Sequence, residues 1–160
     1  MQIVDVSHDN IADVLRLNED SVPHVSSVDL AEMEWFANHA NYFRIVRREG
    51  DLAGFLIGLR PGLAYASPNY RWFSENYKDF GYVDRVAVSP TARRLGIASR
   101  LYEDFAATLA GSVEVMTCEV NIRPPNQSSM QYHVQLGFVQ VATQETDSGR
   151  KEVALLEMKL

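Results

Sequence analysis

Ile97, Leu101, Phe105 and Leu109 recur at every fourth position and the run stops at Gly111, which commits this stretch to a helix with one apolar face. Just before it, Gly81 to Val88 reads as a strand closed by Ser89-Pro90; just after it, Val113 to Val120 is a β-branched strand. Strands and helices that alternate this way layer as a mixed sheet with helices packed on both faces. The remaining elements fit that plan. Gln2 to Val6 alternates as a short strand, and Ser7 or Asp9 caps a helix carrying Ile11, Val14 and Leu15. Asp20 to Ser27, with Pro23, is a loop, and Ser26 or Ser27 caps a second helix through Leu30, Met33 and Ala37. Tyr42 to Arg48 and Leu52 to Leu59 form an antiparallel pair joined through Glu49-Gly50-Asp51. Pro61 to Asp79 breaks the pattern, and Ser89 or Thr91 starts the Ile97 helix. After a turn at Arg123-Pro124-Pro125, a helix over Asn126 to Leu136 ends at Gly137, and strands Phe138 to Gln144 and Lys151 to Leu160 flank Asp147-Ser148-Gly149. The expected order is β-α-α-β-β-β-α-β-α-β-β, an α/β (α+β) chain with about seven strands.

The 160 residues, 46% hydrophobic and 22% charged, fit one globular domain over 1–160. A lone cysteine, Cys118, excludes a disulfide framework, and His8, His24, His39 and His133 show no metal-ligand spacing, so no metal is expected. Asp5, Asp9, Asp13 and Arg16 interrupt every apolar stretch near the N-terminus, and no later run approaches a membrane span; the expectation is a cytoplasmic chain without a membrane partner. Lys and Arg number 15 against 21 Asp and Glu, a formal charge of −6 and the wrong sign for nucleic-acid binding.

Against that acidic background, Arg85, Arg93, Arg94 and Arg100 lie between Arg85 and Tyr102 with no acid among them. The segment sits where a strand turns into a helix, and the first-turn amides and macrodipole of a helix favour an anion there. Gly96 and Ala98 let phosphate oxygens approach the backbone. Other phosphate and nucleophile motifs are missing: no G-x-G-x-x-G after a strand, no G-x-x-x-x-G-K-S/T and no G-x-S-x-G.

Val83-Asp84-Arg85-Val86-Ala87-Val88-Ser89-Pro90, then Arg93-x-x-Gly96-x-Ala98, then Asn121 ending a strand, then Asn126-x-x-Ser129 leading to Leu136-Gly137-Phe138 follow one another in the C-terminal half. In this series the sequence resembles the GNAT acetyltransferase superfamily. The resemblance implies a mostly antiparallel sheet and an N-acetyltransferase passing the acetyl group of acetyl-CoA directly to a primary amine of a small molecule or peptide. It implies a pyrophosphate site at Arg93, Arg94, Leu95, Gly96, Ile97, Ala98 and Ser99, pantetheine along Val86, Ala87 and Val88, and a contact from Asn121, with Asn126 and Ser129 completing the set. An N–H of the Val86–Val88 strand would stabilise the oxyanion. A GNAT-like domain that binds CoA or a protein partner without turnover is the alternative.

The carboxylates Asp84 and Glu19 are the candidate general bases, each with a plainer reading, an ion pair for Asp84 and a solvated helix end for Glu19. Where the family carries an acid tyrosine, four residues before Gly137, this chain has His133, which reads either as the group that protonates the departing thiolate in its place or as a solvated helix residue. Tyr65 to Tyr82 holds seven of the chain's sixteen aromatic residues, where even scatter predicts about two. This segment, with Trp72 and Tyr77, reads either as a lid over the acceptor together with Asn18 to Val25, which carries Glu19 and His24, or as self-packing or a homodimer contact. Cys118, mid-strand among Val115, Met116 and Val120, reads as a small buried hydrophobe.

Overall fold

The computed structural model describes all 160 residues. The elements in chain order are β1 (Gln2–Asp5), α1 (Ile11–Asp20), α2 (Leu30–His39), β2 (Tyr42–Arg48), β3 (Asp51–Leu59), α3 (Pro68–Asn76), β4 (Gly81–Val88), α4 (Ile97–Leu109), β5 (Val115–Arg123), α5 (Gln127–Leu136), β6 (Val139–Thr146) and β7 (Lys151–Lys159). The strands form a seven-stranded, mostly antiparallel sheet in the order β1-β2-β3-β4-β5-β7-β6. No helix is long and apolar enough to cross a membrane. The chain divides into two compact units, Met1–Leu59 with Val83–Thr108, and Arg60–Tyr82 with Leu109–Leu160.

In the first unit, β1 pairs antiparallel with β2 and β2 with β3, the hairpin turning at Glu49-Gly50 as its sequence predicts. Ile45, Val46, Phe55, Leu56 and Ile57 are fully buried on these strands, with Met33 of α2 and Leu101 of α4. Helix α4 comes close to the sheet at Gly54: a Cβ placed there would stand 2.9 Å from the Ala87 carbonyl oxygen and 3.0 Å from Ile97 Cγ2. Two helix starts differ from expectation. Helix α2 is capped by Asp29, whose carboxylate accepts the Glu32 N–H at 2.8 Å while Glu32 returns a bond to the Asp29 N–H, a reciprocal box that outcompetes Ser26 and Ser27. Helix α4 begins at Ile97 rather than at Ser89 or Thr91, because Pro90–Ala92 closes as an isolated 3-10 turn and the chain then extends at Arg93.

The second unit holds the one helix missing from the expected order. Within the supposed pattern break, Ser67 Oγ accepts the Tyr70 N–H at 3.3 Å, Pro68 takes the first helical turn, and α3 follows. Tyr70 and Phe73 turn inward and are buried with Phe80 and Tyr82, their rings 5.7 to 6.2 Å apart in tilted and edge contacts. The aromatic segment is therefore largely a hydrophobic core built on a helix. Strand β5 pairs in parallel with the start of β4 at Gly81–Met116 and Tyr82–Thr117, and antiparallel with β7 along its length; β7 in turn pairs with β6. Cys118 is buried, and burial pushes its thiol well above the ordinary value, as a structural cysteine requires.

Candidate active site

In the first unit the arginine segment is a shaped backbone ledge. The Ser89 N–H donates to the Ala53 carbonyl at 2.9 Å, anchoring the end of β4 to β3. Beyond the 3-10 turn, Arg94 and Gly96 both adopt left-handed backbone, φ 62° and 73°, on either side of Leu95. Such alternation curves successive amides around a common concavity. Helix α4 then opens at Ile97, the Gly96 carbonyl accepting the Arg100 N–H at 3.0 Å, so the positive end of its dipole adjoins the same turn. Arg93, Arg94, Leu95 and Gly96 are exposed, and a Cβ on Gly96 would meet nothing within 4 Å. An open ledge with exposed arginine residues, two left-handed backbone positions and a helix N-terminus fits a diphosphate in charge and in access. Ile97 is buried beneath it, Ala98 and Ser99 are half-buried, and on β4 Val86 and Val88 are half-buried while Ala87 is buried.

One step earlier on β4, Asp84 and Arg85 meet side chain to side chain, Nε to Oδ2 at 2.7 Å, with 2% and 4% of those side chains exposed. The contact joins two sequence neighbours on β4 into one buried pair. Arg85 also donates to Asn18 Oδ1 at 3.0 Å, to the Ser26 carbonyl at 3.0 Å and to Ser26 Oγ at 3.1 Å, and its guanidinium lies 5.1 Å from the Phe36 ring centroid. The Asp84 carboxylate is thus engaged in a buried ion pair. Glu19 is exposed, but its carboxylate accepts from the Ser27 hydroxyl, from Asn18 Nδ2 at 2.8 Å and from the Val28 N–H at 3.4 Å. The Ser27 and Asn18 hydrogen bonds hold its pKa below the ordinary value. His24 stands exposed on the same loop.

In the second unit, β5 brings Asn121 and Asn126 together: the Asn126 N–H donates to the Asn121 carbonyl at 3.2 Å across the turn. Asn126 caps α5, accepting the Ser129 N–H at 3.3 Å. His133 is 5% exposed and its Nδ1 lies 2.7 Å from the Ser129 carbonyl. A carbonyl only accepts, so Nδ1 carries the proton, and in the neutral ring Nε2 is then an acceptor. Burial lowers the His133 pKa. The ring is thereby suited to accept a hydrogen bond at neutral pH, whereas the role implied by the family comparison asks it to give a proton. A stability consequence follows. The unfolded histidine titrates near pH 6.5 and the folded one lower, so its contribution is complete above about pH 6.5 and is lost as pH falls through the folded value. Melting curves from pH 8 to 5 should show a steeper acid-side decline for the wild type than for His133→Phe; parallel curves would mean that His133 protonates freely in the fold.

The same unit holds a carboxylate that no motif in the sequence singles out. Glu119 stands on β5 two residues past Thr117, the last residue paired with β4, and accepts the Tyr82 hydroxyl at 2.7 Å. Period-two alternation places it on the face of Thr117, and it is half-buried, flanked by buried Cys118 and Val120. That interruption of an apolar strand by one acid was the available signal. Glu157, paired across β7 with Thr117, accepts the Tyr77 hydroxyl, and burial with this bond raises the Tyr77 pKa. Trp72 packs edge-on to Phe73 at 5.3 Å and is half-buried beside Tyr77.

The sequence profile described as the Acetyltransferase (GNAT) family matches residues 11–138. No curated protein sequence matches the chain. Among solved structures, Ard1 from Thermoplasma volcanium superposes with a TM-score of 0.81 at 17% identity, covering 99% of this chain and 97% of that one. The ribosomal-protein-S18-alanine N-acetyltransferase from Escherichia coli gives 0.74 at 15% identity, covering 99% and 92%. Naa20 from Chaetomium thermophilum, solved with a bisubstrate analogue, gives 0.77 at 16% identity, covering 100% and 87%. At such identities the superpositions speak for the fold, and the profile, which takes in both the ledge before α4 and the turn after β5, speaks for descent. This chain belongs to the Acetyltransferase (GNAT) family.

Proposed function

We propose that the protein is an N-acetyltransferase that binds acetyl-CoA by its diphosphate at Arg93–Ser99 and passes the acetyl group directly to a primary amine. The observation that carries this reading is the ledge at Arg94–Gly96, where two left-handed residues, exposed arginines and the start of α4 meet. In this reading an N–H of Val86–Val88 donates to the thioester carbonyl oxygen as charge gathers on it. Glu119 takes the ammonium proton of the acceptor, the freed amine attacks the carbonyl carbon, its nitrogen gives up a second proton to water, and the carbon–sulfur bond breaks to leave the amide and the thiolate. The thiolate acquires its proton from water, since His133 presents an acceptor at neutral pH. Asn121, Asn126 and Ser129 complete the coenzyme set, with Asn126 also serving as the cap of α5.

The test is amine-dependent release of free CoA, with the acetylated product identified by mass. An N-terminal alanine peptide heads the panel, because ribosomal-protein alanine acetylation is the printed activity of one structural neighbour; amino acids, polyamines and aminoglycosides follow. Release with at least one amine supports the reading. The histidine in the acid slot favours one rival, a CoA-binding domain without turnover, and tight acetyl-CoA binding with no product from any amine would establish that rival instead.

A further inference from the structure

We propose that Arg85 is a positioning residue for the acceptor: it holds the segment between α1 and α2 in a single conformation, and acceptor affinity depends on that hold. The inference rests on the transferase reading above. Three consecutive residues of the segment are pinned. The Ser26 carbonyl accepts from both Arg85 at 3.0 Å and Asn18 Nδ2 at 3.1 Å, Ser26 Oγ accepts from Arg85 at 3.1 Å, and Ser27 and the Val28 N–H donate to Glu19. Asn18, fully buried, joins the two anchors by accepting from Arg85 and donating to Glu19. Just upstream, Val22, Pro23 and His24 remain exposed. The anchored residues thus lie two positions beyond three exposed side chains, two apolar and one imidazole.

The nature of the anchor bears on its purpose. A buried cation carries a desolvation penalty that apolar side chains closing the same loop would avoid. In exchange, a planar guanidinium fixes direction as well as distance, through several donors in one fork. Arg85 immediately precedes Val86–Val88, the strand edge assigned to the thioester, so one residue sets the segment's place relative to that edge. A loop needing only closure has no use for such a constraint; one that must deliver an amine to a fixed point does.

The experiment compares the wild type with Arg85→Lys and with the double variant Asp84→Asn/Arg85→Met, which removes both buried charges together and so avoids leaving one unpaired. The acceptor probe is the alanine peptide, or whichever panel amine the wild type turns over fastest. The double variant should raise the acceptor KM about tenfold or more, with the Kd of acetyl-CoA within about twofold, and Arg85→Lys should fall between. Amide exchange should accelerate over 21–29 and not elsewhere. An unchanged acceptor KM despite faster exchange in that segment overturns the inference, as does an equal rise in both constants, which is the mark of general loosening. A wild type that turns over no amine would instead overturn the transferase reading, and this inference with it.

Discussion

Gly96→Glu should raise the Kd of acetyl-CoA by about 10³ or more, while Gly96→Ala weakens it by about tenfold or less. Both variants should stay folded, because a Cβ at this position meets nothing within 4 Å. The left-handed φ of 73° does carry a penalty of about 1–2 kcal/mol for any L-residue, but it is common to alanine and glutamate. What separates them is charge. A carboxylate about 4 Å from a phosphate oxygen, near a protein surface, is repelled by about 4 kcal/mol, which is roughly three powers of ten in affinity. The same carboxylate beside the start of α4 recovers a few tenths of a kcal/mol for the fold, about 0.3–1 kcal/mol at an exposed helix end. Calorimetry on the two variants measures the difference; equal affinities would remove the diphosphate from this turn.

Glu119→Gln should lower kcat by about 10² to 10⁴ and leave acetyl-CoA affinity within about twofold. Glutamine retains a carbonyl oxygen to accept the Tyr82 hydroxyl bond, now 2.7 Å, so the substitution removes basicity with little disturbance of β5. The other two carboxylates give a contrast. Glu19→Gln should cost far less in kcat, because the wild-type side chain already spends its oxygens on Ser27, Asn18 and Val28. Asp84→Asn weakens a buried ion pair with Arg85 and should appear first as a lowered Tm. Of the three, only Glu119→Gln should lose kcat on that scale. A kcat within about threefold of wild type in that variant would leave proton removal to water or to another group.

Most of the architecture was legible because local rules agreed with one another. The hairpin β2–β3, the stripe of α4 and the Gly137 stop of α5 are each written twice, in periodicity and in a turn or cap residue. Helix α3 was hidden because Pro61, Gly62 and Pro68 read as breakers. Pro68 is the opposite, a first-turn proline following the Ser67 cap, and Tyr70, Phe73 and Tyr77 then repeat at helical spacing. The start of α2 is ambiguous in sequence because three oxygen-bearing residues compete for one cap; Asp29 wins through Glu32, while Ser27 is taken by Glu19 eight positions back and Ser26 by Arg85, 59 positions on. The same limit governs the site. The arginine ledge is local and could be found by inspection, down to Gly96. Glu119 shows in sequence only as an acid inside an apolar strand; its place depends on where a parallel ladder ends and on a tyrosine 37 positions away.

The approach at Gly54 makes the ledge hostage to a position deep in the sheet. A methyl added there would press on the Ala87 carbonyl at 2.9 Å and on Ile97 at 3.0 Å, and Ile97 is the first residue of α4, directly after Gly96. Relief would come by lifting the first turn of α4 or by displacing the strand edge at Ala87, and either motion shifts a ligand contact without touching the ligand. Selection scored only on coenzyme affinity would therefore register a buried residue, and drift in affinity among related chains can originate in the interior of β3 while every arginine of the ledge stays in place.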